Sequence, residues 1–279
     1  MIGTLVIVFR EVLEAALVIG IVLAATRGVT GRGWWVGGGI AAGLLGSTLV
    51  AAFARGIAET AAGMGQEVFN ASLLFAAVVM LGWHNVWMGR HGRELAHQMK
   101  AVGHQVRTGE QPLLALATVV SLAVLREGSE VVLFLYGIAA GGDAAMSSML
   151  GGGALGLLAG VAVGLALYLG LLRIPTRHLF TVTSGLIVLL AAGMAAQAAG
   201  FLIQADWLPA WRQPLWDTSA ILSDRSLPGQ ILHVLAGYND RPAGMQVAFY
   251  LATLLLISGL MWFIGNVPTP QSKQAAAAV

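Results

Sequence analysis

The chain has 279 residues, of which 57% are apolar and only 10% charged, with a formal net charge of +2. An average soluble domain carries about 25% charged residues. So little polar surface cannot cover so large an apolar fraction in water, which excludes an ordinary soluble enzyme, a disordered chain and a nucleic-acid binder, whose basic residues would cluster. There is no cysteine, so disulfides, iron–sulfur clusters and thiolate metal sites are excluded too.

Crossing the hydrocarbon layer takes about 20 predominantly apolar residues. Seven stretches meet that length, at 2–25, 34–54, 68–88, 112–140, 144–172, 178–203 and 243–265. The first is read as a span and not as a cleaved signal peptide. No basic residue precedes it, it is too long, and Arg10, Glu11 and Glu14 sit at its centre. Between spans three and four, 90–111 is polar and basic and reads as a helical extension of span three. Between spans six and seven, 204–242 carries Trp207, Trp211, Trp216, Asp206, Asp217, Asp224 and Asp240, the composition of an interfacial belt with short helices. The tail 271–279 reads as disordered. With the N-terminus outside, nine Lys and Arg fall on the cytoplasmic side (Arg27, Arg32, Arg90, Arg93, Lys100, Arg107, Arg173, Arg177 and Lys273) and four outside (Arg55, Arg212, Arg225 and Arg241). That bias predicts N-terminus out and C-terminus in.

Arg10-Glu11-Val12-Leu13-Glu14 recurs as Arg126-Glu127-Gly128-Ser129-Glu130, an offset of 116 residues. The same offset carries span two into span five, at 150–170, and span three into span six, at 184–204. The expected fold is therefore all-α: seven transmembrane helices, arranged as two inverted three-helix repeats plus a seventh helix. The corresponding segments are 1–111, 112–204, an extracytoplasmic loop at 205–242, and the last helix and tail at 243–279.

An ionised residue at a helix centre costs about 2.5–3.5 kcal/mol on insertion scales, so six of them point to a functional site. In each motif the glutamates are three apart and share a side of the helix, and the arginine lies one turn before the second glutamate. Glu14 and Glu127 lie at similar depth on antiparallel helices. Four carboxylates and two guanidinium groups leave a charge of −2, which suits a polyvalent cation. Oxygen ligands without thiolate favour a hard ion: Fe(III), Mn(II), Mg(II) or Ca(II). Two self-contained Arg–Glu clamps holding helices together would leave one glutamate per motif without an ionic partner.

These two R-E-x-x-E motifs, in spans one and four of a seven-span chain, resemble those of the oxidase-dependent iron permeases of fungi and bacteria. Trp216-Asp217-Thr218-Ser219 with Leu222-Ser223 and Gly237-Tyr238 resembles the outer loop of bacterial members, and Ala191-Ala192-Gly193-Met194-Ala195 their sixth span. The resemblance covers about residues 3–265. It implies a permease, not an enzyme, that moves iron, as Fe(III) from coupled oxidation, into the cytoplasm, with Glu11, Glu14, Glu127 and Glu130 as metal ligands. It also implies an extracytoplasmic iron oxidase or iron-delivery protein as partner, besides membrane lipid and the iron ion itself. Arg10 and Arg126 would supply supporting charge. One departure is Glu67-Val68-Phe69-Asn70, where many relatives carry a second acidic pair; Glu67 and Asn70 are candidates for a weaker access site. Asp217, His84, His97 and His104 are further candidates for iron access or release. For His84 a hydrogen-bonded packing role competes with that of a pore-lining ligand, and for His97 and His104 the competing role is a solvated helix face. The rival functions are a divalent-metal or proton-coupled cation transporter using the same carboxylates, and an intramembrane carboxylate hydrolase.

Overall fold

The structure is a computed structural model that describes residues 1–61, 65–140, 145–170, 176–224 and 226–266. The tail 271–279 with Lys273, and Arg173 and Arg225, lie outside the described residues, as do the side chains of Arg55, Arg90, Arg93 and Arg177. Among the described residues there are eight α-helices and no strand: α1 Ile2–Ala25, α2 Arg32–Ala61, α3 Gln66–Thr108, α4 Leu114–Ala140, α5 Met146–Tyr168, α6 Thr176–Gln204, α7 Leu227–Ala236 and α8 Gly244–Asn266. Five contain a stretch long and apolar enough to cross a membrane: Arg32–Ala54, Gln66–Met88, Met146–Tyr168, Phe180–Gln204 and Gly244–Ile264. Helices α1 and α4 match them in length, at 24 and 27 residues, and differ in carrying an arginine and two glutamates near the middle. The architecture is that of a multi-span membrane protein.

No proline interrupts Gln66–Thr108, so α3 runs unbroken for 43 residues and stops where Gly109 adopts the left-handed conformation at φ 84°. At 1.5 Å per residue it is about 65 Å long, twice the hydrocarbon thickness of ~30 Å. Its polar second half must therefore project beyond the membrane, as the basic 90–111 segment leads one to expect.

The helices exchange partners. Helix α1 packs most extensively on α5 and α4 on α2, while α3 lies between α6, α4 and α1. Glycines permit the first two contacts. A Cβ on Gly39 would meet the Ala117 carbonyl at 2.6 Å, and one on Gly43 would meet Ser121 O at 2.8 Å and Val124 Cβ at 2.7 Å. On the other pair, Gly152 is seated against the Met1 carbonyl, and a Cβ on Gly156 would meet Leu5 O at 2.6 Å and Val8 Cβ at 3.0 Å. Small residues four apart let backbones approach where apolar surface alone gives no driving force in lipid. The seats on α1 (Met1, Leu5, Val8) and α4 (Ala117, Ser121, Val124) differ by 116 residues, as the charged motifs do. The glycines they receive differ by 113. The second helices thus correspond three residues away from where a uniform offset would put them, because the link from motif to second helix is three residues shorter in the second half.

Ile7, Leu74, Leu81, Phe134, Ile187, Ala191 and Ala195 form one buried cluster among α1, α3, α4 and α6; Val22, Val36, Val106, Leu116 and Val120 form another at the far end. The loop after α6 is tied by Leu215 N–H to Pro242 O (2.7 Å), Thr218 N–H to Asp240 O (3.0 Å) and a Tyr238 hydroxyl that donates to Leu222 O at 2.7 Å. Helix α7 starts at Ser226, whose hydroxyl accepts the Gly229 N–H at 3.1 Å, and ends at Gly237 (φ 65°), whose backbone presses on Gly193 of α6. Trp207, Trp211 and Trp216 project outward, as an interfacial belt requires.

Gly156→Val should lower the melting temperature of the purified protein clearly, because its obstacles are backbone atoms that cannot swing aside; overpacking of this kind costs about 1–3 kcal/mol. Gly37→Val, with nothing within 4 Å of its Cβ, should be close to wild type. Equal melting temperatures for the two variants, read by size exclusion after heating, would contradict the packing described.

Candidate metal centre

Helices α1, α4 and α3 bring seven polar side chains together, five of them buried. From α1, Arg10 Nη1 lies 3.2 Å from Glu11 Oε1 and its Nη2 lies 3.0 Å from Glu14 Oε1. From α4, Arg126 Nε lies 3.2 Å from Glu130 Oε1 and 3.8 Å from Glu127 Oε1. The arginine therefore spans both carboxylates of its own motif, so the spacing argument that left one glutamate unpaired needs correction. A guanidinium presents five N–H donors in a fork and serves two acceptors at once.

His84 of α3 fills the space between the motifs. Its Nδ1 contacts Glu130 Oε2; its Nε2 stands 3.6 Å from Glu14 Oε2 and 3.8 Å from Glu11 Oε2. Glu11, His84, Glu127 and Glu130 each offer a ligand atom within 4.8 Å of the others. Glu11, Glu14, Glu127 and His84 are buried, and Glu11 Oε2, both Glu14 oxygens, Glu127 Oε2 and both His84 ring nitrogens lack a hydrogen-bond partner of good geometry. Buried polar atoms are normally satisfied, and several orphans converging on one point mark a place built for a ligand. Carboxylates and one imidazole are a donor set for a first-row metal ion.

The two arginines differ in setting. Arg10 is 1% exposed, while the Arg126 side chain is 33% exposed and lies 4.2 Å over the Trp87 ring. A cation over an indole face is held by the ring quadrupole without needing full burial.

The other sequence candidates lie apart from this cluster. Glu67 is exposed in the first turn of α3 and Asn70 partly buried one turn on. At 17 residues from His84, Glu67 is about 25 Å away along the helix. His97 and His104 are exposed on the far half of α3, where His104 Nδ1 faces Arg107 Nη2 at 3.2 Å. Asp217 is in the loop between α6 and α7, paired with Arg241 at 3.1 Å. A cavity of about 360 Å³ between α6, α7 and α8 is lined by Gln197, His233, Tyr238 and apolar side chains, and holds no residue of the charged motifs. His233 is committed there, Nδ1 to Tyr238 O and Nε2 to Gln197 at 3.0 Å. Sequence reasoning underweighted His84. The available signal was a lone imidazole in an otherwise uncharged span of a chain whose spans one and four carry the motif carboxylates.

The profile of the Iron permease FTR1 family matches residues 1–269. Among curated proteins, the ferrous iron permease EfeU of Escherichia coli O6:H1 is 34% identical over 268 residues, covering 92% of this chain and 93% of its own. The ferrous iron permease EfeU of Yersinia pestis is 30% identical over 280 residues, 97% of this chain and 96% of its own. No solved structure matches the chain.

Removing Arg10 leaves two carboxylates uncompensated in a dry interior, a loss of about 3–5 kcal/mol for a broken buried pair. Arg126 is partly solvated, so its loss is screened and smaller. Arg10→Met should therefore depress the melting temperature well below that of Arg126→Met; the reverse order would show that the first clamp carries no load. In the loop after α6, hydrogen bonds from Ser219 Oγ and N, followed by Arg241, hold the Asp217 carboxyl at about 2, below its ordinary 3.8. A depressed pKa stabilises the folded loop above 3.8 and loses that contribution only as pH falls through about 2. Carboxyl carbon NMR of aspartate-labelled protein should thus show no Asp217 titration between pH 4 and 8, and Ser219→Ala should raise its midpoint.

Proposed function

We propose, from the premise that the chain belongs to the Iron permease FTR1 family, that it carries iron across the bacterial inner membrane into the cytoplasm, with Glu11, Glu14, Glu127 and Glu130 as the residues that hold the ion in transit. The observation that carries this reading is the convergence of both motifs, from two helices, on one buried point lined with unsatisfied carboxylate oxygens.

The finer topology is part of the proposal. Helices α1 and α4 join the five apolar spans to give seven crossings, each arginine offsetting the charge that would otherwise bar its helix from lipid. An inverted three-helix repeat is supported by the shared offset of 116 between the two glycine seats, and by the exchange of partners between α1·α5 and α2·α4. Inverted repeats place the substrate site near the midplane at their interface, and the position of the motifs near the middle of α1 and α4 fits that plan. The excess of basic residues on one side favours N-terminus out and C-terminus in.

The oxygen-rich donor set suits Fe(III), delivered by an oxidase or an iron-binding protein outside. A second reading, a divalent-metal carrier that takes Fe(II) directly, is favoured by the His84 imidazole among the carboxylates and by the ferrous name of the relatives. Radio-iron uptake by protein reconstituted in liposomes, with and without an oxidant and in competition with Mn(II), separates them: uptake only with the oxidant supports Fe(III), uptake only with a reductant supports Fe(II).

Glu14→Ala and Glu127→Ala should each abolish iron uptake while the protein inserts at normal abundance; normal uptake in both would sink the assignment of these residues. Since the chain lacks cysteine, single introduced thiols report sidedness directly. Ile221→Cys, in the outer loop and 90% exposed, should react with an impermeant reagent in intact cells. Thr108→Cys, at the far end of α3, should react only after lysis, and the opposite pattern would invert the topology.

A further inference from the structure

The carboxylates explain why a cation is held, but not how the site would refuse Mg(II) and Ca(II), which are hard ions that bind carboxylate oxygens and are abundant. His84 supplies the missing discrimination. The ring is 4% exposed and reaches the centre of the cluster from a third helix. Its two nitrogens are not equivalent. Nδ1 is against Glu130 Oε2, too close to admit an ion between them. Nε2 faces Glu14 Oε2 at 3.6 Å and Glu11 Oε2 at 3.8 Å, beyond a hydrogen bond. Ligands about 2.1 Å from a shared ion, at tetrahedral or wider angles, stand ~3.4 Å or more apart. The gap beside Nε2 thus has the width of an ion's coordination shell.

We infer that His84 Nε2 is a direct ligand of the transported ion and its selectivity determinant for first-row transition metals over Mg(II) and Ca(II), and that Glu130 is a positioning residue, accepting the Nδ1–H and fixing the ring. This rests on the carboxylate site proposed above and revises it at Glu130, which acts on the ion through His84 and not as a direct ligand. The arrangement is a chain of support: Arg126 Nε holds Glu130 Oε1 at 3.2 Å, Glu130 Oε2 holds the ring, and the ring presents Nε2 to the ion. A carboxylate on the far nitrogen sets the tautomer and orientation of a ligating imidazole. Imidazole suits Fe and its later first-row neighbours and adds little for Mg(II) or Ca(II), which prefer oxygen. Glu11, Glu14 and Glu127 complete the set from the opposite side.

The test uses the full-length purified protein with Mn(II) as a paramagnetic probe. Pulsed electron paramagnetic resonance should show coupling to a directly bound ¹⁴N nucleus, replaced by ¹⁵N coupling in protein made with ¹⁵N-histidine. His84→Gln should bind Mn(II) without that coupling, and excess Mg(II) should displace the ion at concentrations about tenfold lower than in wild type. Glu130→Gln, which keeps an acceptor oxygen for Nδ1–H, should retain the nitrogen coupling and lose less Mn(II) affinity than Glu127→Gln. The ¹⁵N-histidine measurement on wild-type protein stands even if His84→Gln fails to fold. Mn(II) bound without histidine coupling overturns the assignment of His84 and leaves the carboxylate site standing. Equal affinity loss in Glu130→Gln and Glu127→Gln overturns the positioning role of Glu130. No binding of Mn(II) or iron at all removes the carboxylate site and this inference together.

Discussion

Gathering four carboxylates between helices of a multi-span membrane protein sets the terms for the rest of the molecule. Unpaired, each would be driven from the hydrocarbon or forced neutral. Arg10 meets this on α1 by holding Glu11 at 3.2 Å and Glu14 at 3.0 Å from within a fully buried setting. Arg126 meets it on α4 with the same spacing and with Trp87 beneath it. The arginines do not cancel the site. Each leaves oxygens free on the side away from it, so the helices can be inserted and the centre remains attractive to a cation.

The charged pairs in turn need helices that come close without intervening side chains, and the glycines meet that need. Gly39 and Gly43 bring α2 onto the backbone of α4, while Gly152 and Gly156 bring α5 onto that of α1. With α2 and α5 seated outside them, α1 and α4 present their motifs inward to each other and to α3. In lipid there is no hydrophobic gain from pairing such helices, so dispersion at short range and the buried polar contacts must hold them. This accounts for a chain with 37 glycines in which several side-chain-free positions lie on contacts that a methyl group would break.

Much of this was legible in advance, for definite reasons. Helix number and extent follow from apolar run length, and Arg10 with Glu14 follows from a turn of helix. The long polar extension of α3 follows from the absence of proline across Gln66–Thr108. The register between halves was legible only where a motif marked it. Between the marked helices the offset slips from 116 to 113, and only the seating of Gly43 on Ser121 and Gly156 on Leu5 reveals the slip. His84 was harder. A single histidine in an apolar span has no periodic partner, and its distance along α3 from the membrane surface is blurred by a helix about twice as long as the membrane is thick. What decides its role is the angle at which α3 crosses between α1 and α4, a tertiary fact that no local pattern encodes.

That crossing also breaks the symmetry the motifs suggest. Displacing His84 by the two observed offsets falls on Gly200 and Gln197 of α6. Gly200 lies against Gln246, and Gln197 is bonded to His233. The second half therefore returns no imidazole to the centre. The carboxylates are shared between halves, yet the nitrogen comes from one side alone and is braced by one glutamate, Glu130, which is braced in turn by the more exposed arginine. A site with full two-fold symmetry would hold an ion equally from both faces. Here the buried clamp at Arg10 and the partly solvated clamp at Arg126 give the two faces different rigidity and different access to water. Two clamps alike in sequence thus stand in unequal surroundings, Arg10 sealed among helices and Arg126 a third exposed over Trp87.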